Sequence, residues 1–219
     1  MPASLPRHSQ TKLNHILGHA AAVFADRGFE GASIRDISRA SGVSLAGLYY
    51  YFESKQELLY IIQYQVFKDV LESLDRRLMG IEMPEERLEK FVQNHVEYFL
   101  AHPAQMKVLS HEEAALAEPY RQRIAALKRR YYQVGRDIFA ELARRRPAPP
   151  LNPRVAVLSL YGMMNWIYQW HNLKVDPGAE ELARMISEIF LRGVLYAGTR
   201  KNTHETLPAL SVPREAAAG

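Results

Sequence analysis

The chain has 219 residues, 47% of them hydrophobic and 24% charged, a formal net charge of +4 and no cysteine. Without thiols it can build neither a disulfide framework nor a thiolate metal site, and its length suits a small N-terminal unit plus one larger core. The positive excess is too small to coat a surface, so any affinity for phosphates must come from where the cations sit.

The first ten residues, MPASLPRHSQ, hold no apolar stretch, and no signal peptide is expected. A helix is predicted over 10–27, with Leu13, Ile16, Leu17, Ala20, Val23 and Phe24 at helical spacing and Gly28 ending it. Residues 1–55 hold six Lys/Arg against four Asp/Glu, but no acid precedes Asp26. Arg7, His8, Lys12 and His15 therefore make the start of the chain mildly basic, although a frayed polar terminus accounts equally well for Arg7 and His8.

Residues 33–58, SIRDISRASGVSLAGLYYYFESKQEL, read as two short helices and the start of a third. Ser33 can cap the first, with Asp36 as its reciprocal acidic partner, and Ile34, Ile37 and Ala40 share one face. Ser41-Gly42-Val43 makes the turn, where Gly42 tolerates positive φ. Ser44 can cap the second helix, anchored by Leu48 and Phe52. So tight a turn suits either a helix-turn-helix whose second member enters a DNA major groove or an ordinary corner in a helical core.

The segment resembles the DNA-binding domain of TetR-type transcriptional regulators. That resemblance rests on Ser33, Arg35, Ile37, Ala40, Gly42, Val43, Ser44, Leu48, Tyr49, Tyr51, Phe52, Lys55 and Leu58, all at the family's spacing over about a quarter of the chain. Ala46, Gly47 and Ser41 depart from the family pattern; Gly47 is expected to loosen the second helix by roughly 0.5–1 kcal/mol. The resemblance implies that Arg35 reaches a base edge, most naturally guanine O6 and N7. It implies that Leu45, Ala46 and Gly47 offer apolar contact to thymine methyls and close backbone approach. Tyr49, Tyr50 and Tyr51 would carry hydroxyls toward phosphates, with Tyr51 alternatively packed inside. Ser33, Ser44 and Lys55 would hold the DNA backbone, aided by helix N-terminal amides.

Beyond the motif, helices are predicted almost everywhere and no segment alternates as a strand. Ser54 and Glu57 form a capping box launching a helix to about residue 79. Pro84 opens another, with Leu88, Phe91, Val92, His95, Val96 and Phe99 on one face, stopped at His102-Pro103. A short helix is expected over 104–115. A longer one follows from Pro119, striped by Tyr120, Ile124, Leu127, Tyr131, Val134, Ile138 and Leu142, up to the Pro-rich RPAPPLNP run. Helices over 153–173 and 177–197 close the fold, and the tail 199–219 is expected to be disordered. The longest largely apolar run, 155–168, is short for a bilayer span.

The last helix carries Glu181, Arg184, Glu188 and Arg192 on one stripe. Leu182, Met185, Ile186, Ile189, Phe190, Gly193, Val194 and Ala197 cover far more than the ~100° arc one core requires. The second apolar face predicts contact with another copy of the chain. The resemblance implies the same, a two-fold four-helix bundle presenting two recognition helices to an inverted repeat.

The run YGMMNWIYQWHN, 161–172, places Gly162, Asn165, Trp166 and Gln169 on one side and Met163, Met164 and Ile167 elsewhere. Amides beside tryptophans suit a ligand pocket with apolar walls, or simply polar groups satisfied by backbone and water. Through Trp166 and Trp170 the run is similar to the TetR-type branch that responds to acyl-CoA thioesters, though Gly162 lacks the Arg some members carry there. Residues 121–146 hold nine Lys/Arg against Asp137 and Glu141, whereas 53–118 hold thirteen Asp/Glu against seven Lys/Arg. A solvated face explains most of these cations, but Arg123, Lys128 and Arg130 flank the stripe where CoA phosphates would need them.

Candidate ligand residues are thus Asn165, Trp166, Gln169, Trp170, Tyr131, Arg123, Lys128 and Arg130. No catalytic motif occurs, adjacent His111, Glu112 and Glu113 point apart on a helix, and neither cofactor nor metal is expected. The sequence predicts an all-α cytoplasmic protein. Residues 1–55 would form a three-helix DNA-binding domain, 56–198 a ligand-binding and dimerisation domain, and 199–219 a tail. Its function would be a repressor released from a palindromic operator by a small molecule such as an acyl-CoA. A DNA-binding dimer without effector and a helical ligand-binding module are the alternatives.

Overall fold

The computed structural model describes residues 7–112, 114–145 and 151–196, and over these it holds ten helices and no strand. The first, α1 (Arg7–Gly31), buries the predicted stripe: Ile16, Leu17, Ala20 and Phe24 are inside, and Leu13 and Val23 pack against them. It bends at Gly28, whose φ of 71° suits glycine, and one further turn reaches Gly31.

α2 (Ile34–Ser41) starts on a complete capping box: Ser33 Oγ accepts the Asp36 amide, and the Asp36 carboxylate accepts the Ser33 amide at 3.0 Å. Gly42 ends it at φ 67°, and α3 (Leu45–Tyr49) starts on Ser44, whose hydroxyl accepts the Gly47 amide. α2 packs on α1 and α3 on α2, with Ile37, Leu48 and Phe52 buried between them. Ala40, predicted on the buried face, is exposed. Ser41 is buried instead, because its hydroxyl donates to the Ile37 carbonyl at 2.7 Å.

α4 (Lys55–Leu78) opens on Ser54, which accepts the Glu57 amide. The Glu57 carboxylate, however, takes the Glu53 amide, one residue before the position a capping box would use. α5 (Pro84–Ala101) buries its whole predicted face, His95 included, and is the central helix of the larger unit. It packs against α4, α6 (Pro103–His111), α7 (Tyr120–Arg145), α8 (Pro153–Asn165), α9 (Ile167–Trp170) and α10 (Ala179–Tyr196).

Two predicted helices are shorter than expected. The one over 104–115 stops at His111, and the chain after it is held as a loop by Gln56, whose side chain accepts the Ala117 amide at 3.0 Å and donates to the Ala115 carbonyl at 2.6 Å. The one over 153–173 breaks at Trp166, where the Gln169 amide bonds the Trp166 carbonyl three residues back and only one turn, α9, follows. Residues 171–177 then close into a turn: His171 Nε2 meets the Pro177 carbonyl at 2.9 Å, and the Asn172 amide donates to Asp176.

α10 buries Leu182, Ile186, Phe190 and Val194, while Met185 and Ile189 of its second apolar face are 43% and 62% exposed. α8 packs beside it and exposes Val155 and Leu158. Among the described residues no helix is long and apolar enough to cross a membrane. The side chains of Arg7 and His8, Ala197, the Pro-rich residues 146–150 and the tail 199–219 lie outside the described residues.

Candidate functional site

Two separate surfaces meet the predicted site residues. The first is the outer side of α2 and α3, where Arg35, Ser44, Leu45, Ala46, Tyr49 and Tyr50 are all exposed. The turn between the helices is fixed from behind. Ser38 Oγ donates to the Val43 carbonyl at 2.7 Å, and the His15 ring meets the Ser41 carbonyl at 3.0 Å, tying α2 to α1. Arg35 meets no partner among the described residues and is left to project outward. Ser44 accepts the Gly47 amide and so keeps its hydroxyl proton for a phosphate.

Four of the predicted contacts read differently in the structure. Ser33 gives its hydroxyl proton to the Asp36 carboxylate at 2.6 Å, which leaves it none for a phosphate. Gly47 is half-buried and crowded, since a Cβ there would come within 3.0 Å of Val43 Cγ1 and 3.2 Å of Ser44 Oγ; it faces the turn and lets it close. Tyr51 is half-buried against the core and edge-on to Tyr50 with ring centroids 5.0 Å apart. Lys55 turns inward as well: its ammonium donates to the carbonyls of Phe29 at 2.8 Å and Ala32 at 3.1 Å and sits over the Phe29 ring.

Lys55 therefore caps the end of α1, and truncating it should act through the fold. Lys55→Met is expected to cost about 1.5–3 kcal/mol in chemical denaturation, the range for hydrogen bonds to a charged group. The salt dependence of DNA binding should keep its slope; a slope smaller by about one would return Lys55 to the phosphates. Asp36 supplies a pH signature of the same domain. The Ser33 hydroxyl and amide, with Arg27 beside them, hold its carboxyl at about 2, below its ordinary 3.8. A folded-state value below the unfolded one stabilises fully above about pH 4, and that stabilisation is lost as the pH falls toward 2. Asp36→Asn should flatten the decline of the melting temperature across that window.

The second is a cavity of about 550 Å³ walled by α4 to α9 and open to solvent on one side, where Leu158 and Trp166 are exposed. Phe67 of α4, Phe99 of α5, Met106 and Leu109 of α6, Leu158 of α8 and Trp166 give it apolar walls. Four predicted ligand residues line it: Tyr131, Lys128, Asn165 and Trp166. Gln169 and Trp170 do not, because the break at Trp166 changes the helical register and leaves both exposed. Arg130 is ion-paired with Asp75 at 2.9 Å, and the Arg123 guanidinium lies 5.9 Å from the centre of the Tyr60 ring; neither lines the cavity. With Arg121 on Glu118 and Arg136 beside Asp137, much of the basic run on α7 is a solvated, ion-paired face.

The polar centre of the cavity was not foreseen. His95, expected only as part of a buried stripe, has its Nδ1 in a hydrogen bond with the Tyr131 hydroxyl at 3.0 Å, and Tyr161 donates to the Tyr131 carbonyl at 2.9 Å. Burial lowers the His95 pKa to about 3, so the imidazole is neutral at neutral pH. Its Nε2 is buried and without a hydrogen-bond partner among the described residues, a condition that costs about 1–3 kcal/mol. The one signal in the sequence was a histidine inside an otherwise apolar helical stripe.

This architecture matches known proteins along most of its length. Residues 16–60 match the family model described as bacterial regulatory proteins, tetR family, and residues 82–194 match the one described as tetracyclin repressor-like, C-terminal domain. The chain belongs to the TetR family. Among solved TetR-family structures, PfmR from Thermus thermophilus is 27% identical, with a TM-score of 0.74 over 87% of this chain and 97% of that one. AibR, solved with isovaleryl coenzyme A and operator DNA, is 27% identical, with a TM-score of 0.71 over 85% of this chain and 99% of its own. The transcriptional repressor KstR2 of Mycolicibacterium smegmatis is 31% identical over 81 residues, 37% of this chain and 38% of that protein. The curated relatives matched first are spanned over 38% to 54% of their length.

Proposed function

We propose that this TetR-family chain is a ligand-responsive, DNA-binding transcriptional repressor. Residues 1–55 read an inverted-repeat operator as a homodimer joined through α8 and α10, and residues 56–198 carry the effector cavity. The observation that carries the reading is the cavity's position. Its walls include Phe67 of α4 and Met106 and Leu109 of α6, and both helices also pack against α1 of the helix-turn-helix unit. A ligand that fits the cavity better in one arrangement of α4 and α6 shifts the population toward that arrangement, and α1 carries the change to the recognition helices.

The effector is a small molecule with an apolar or aromatic body, and an acyl-CoA suits the cavity in part. About 550 Å³ lies within the usual range of roughly 300–1,000 Å³ for ligand pockets and holds an acyl group with part of its arm. Lys128 lines the cavity, whereas Arg123 and Arg130 do not. That AibR was solved with isovaleryl coenzyme A and operator DNA supports the same class. The test starts from DNA fragments upstream of the chain's own and adjacent genes, shifted in a gel, then challenged with CoA esters and their free acids. Release by the esters is the expected result. Binding unaffected by any metabolite would favour a DNA-binding dimer without effector, tighter binding of the free acids would remove acyl-CoA, and no shift at all would remove DNA binding.

A further inference from the structure

The geometry points to a hydrogen bond from His95 Nε2–H to a neutral carbonyl oxygen of the ligand, which makes His95 and Tyr131 together the specificity determinant of the cavity. This rests on the cavity being the effector site. His95 is buried at the polar centre, and its Nδ1 is already taken by the Tyr131 hydroxyl at 3.0 Å. A phenol is the better donor and an imidazole nitrogen the better acceptor, so Tyr131 gives its proton to Nδ1 and the ring's own proton stays on Nε2. The Tyr131 proton has no competing claim, because Tyr161 approaches the Tyr131 backbone carbonyl and not its hydroxyl. Nε2 is then a buried donor with no acceptor among the described residues, in a ring that lines the cavity.

Of the possible ligand groups, a carbonyl satisfies that donor at least cost. A hydrocarbon leaves it unpaired, and an anion would have to be desolvated against walls such as Phe67, Phe99 and Leu109. The carbonyl of a ketone, an ester or a thioester meets the requirement equally, so the class is an apolar body bearing one neutral carbonyl. Tyr131 acts as a positioning residue: it sets the tautomer and holds the ring.

The experiment uses a matched pair of probes, 2-undecanone and 2-methyl-1-undecene, which share shape and differ in C=O against C=CH2. Each is titrated against N-phenyl-1-naphthylamine bound to the full-length protein. The ketone should displace the dye at about tenfold lower concentration than the alkene, the equivalent of one net hydrogen bond of about 1.4 kcal/mol. His95→Phe should bring the two within about twofold of each other, whereas a merely structural histidine would weaken both and preserve their ratio. Should that variant fail to fold, 15N-histidine spectra of the unaltered protein decide. The protonated nitrogen of His95 should be Nε2, and its resonance should move with the ketone and not with the alkene. Equal displacement by the two probes, or an unmoved resonance, overturns the hydrogen bond and leaves the effector cavity standing. Failure of both probes to displace the dye overturns this inference and the cavity reading together.

Discussion

Ile189→Glu should convert the proposed dimer into a well-folded monomer and lower operator affinity by at least about a hundredfold. The side chain is 62% exposed in the single chain, so the substitution removes little from the monomer's own core. In the proposed assembly the same position lies on the second apolar face of α10, with Met185 on that helix and Val155 and Leu158 on α8 beside it. An isologous interface uses the same patch of both subunits, so one substitution puts two carboxylates into one apolar contact. Like charges so placed cost several kcal/mol. The loss on DNA follows from linkage: a dimer's second half-site binding is intramolecular, and losing that advantage alone removes about 10²–10⁴ in affinity. Sedimentation velocity and a gel shift on the inverted repeat check it, with thermal melting as the fold control. A variant that still sediments as a dimer would place the interface elsewhere.

Such a face is visible in the sequence alone because of periodicity, and the same reason marks where the sequence stops being informative. Leu182, Ile186 and Phe190 repeat at helical spacing and are buried; Met185 and Ile189 repeat beside them and are not. Caps were legible for the same local reason: Ser33, Ser44 and Ser54 each accept an amide three residues on. What failed was always an interaction across the chain or a choice between local alternatives. Lys55 turns inward to carbonyls 23 and 26 residues before it, which no local pattern signals. Glu57 and the break at Trp166 depended on choices between neighbouring hydrogen-bond registers of similar energy. The His95–Tyr131 pair joins residues 36 apart, each ordinary in its own helix, and only the packing of α5 against α7 makes them one polar site. Trp170 is the converse case: residue type suggested a lining, and the turn after Trp166 carried it out while Trp166 stayed in.

Arg35→Ala should cost about 1–3 kcal/mol in operator binding and relax one base position in each half-site. Arg35 is exposed on the first turn of α2 and has no partner among the described residues, so its guanidinium is presented with both donor edges available. Its neighbours make the contrast sharp. Asp36 is committed to the cap on Ser33, and Arg39 is ion-paired with Asp36, so neither is free in the same sense. The capping box also fixes the direction of the first turn, which keeps Arg35 aimed outward without any contact of its own. Truncation should therefore leave the melting temperature nearly unchanged and be read only on DNA. The measurement is a set of titrations on the operator and its single-base variants at two salt concentrations. A bidentate contact to guanine predicts that wild-type discrimination at one position collapses while the other positions keep theirs. A phosphate contact predicts equal weakening on every sequence and a salt slope smaller by about one. The second pattern, or no change at all, would remove Arg35 from base reading and leave that task to the side chains of α3.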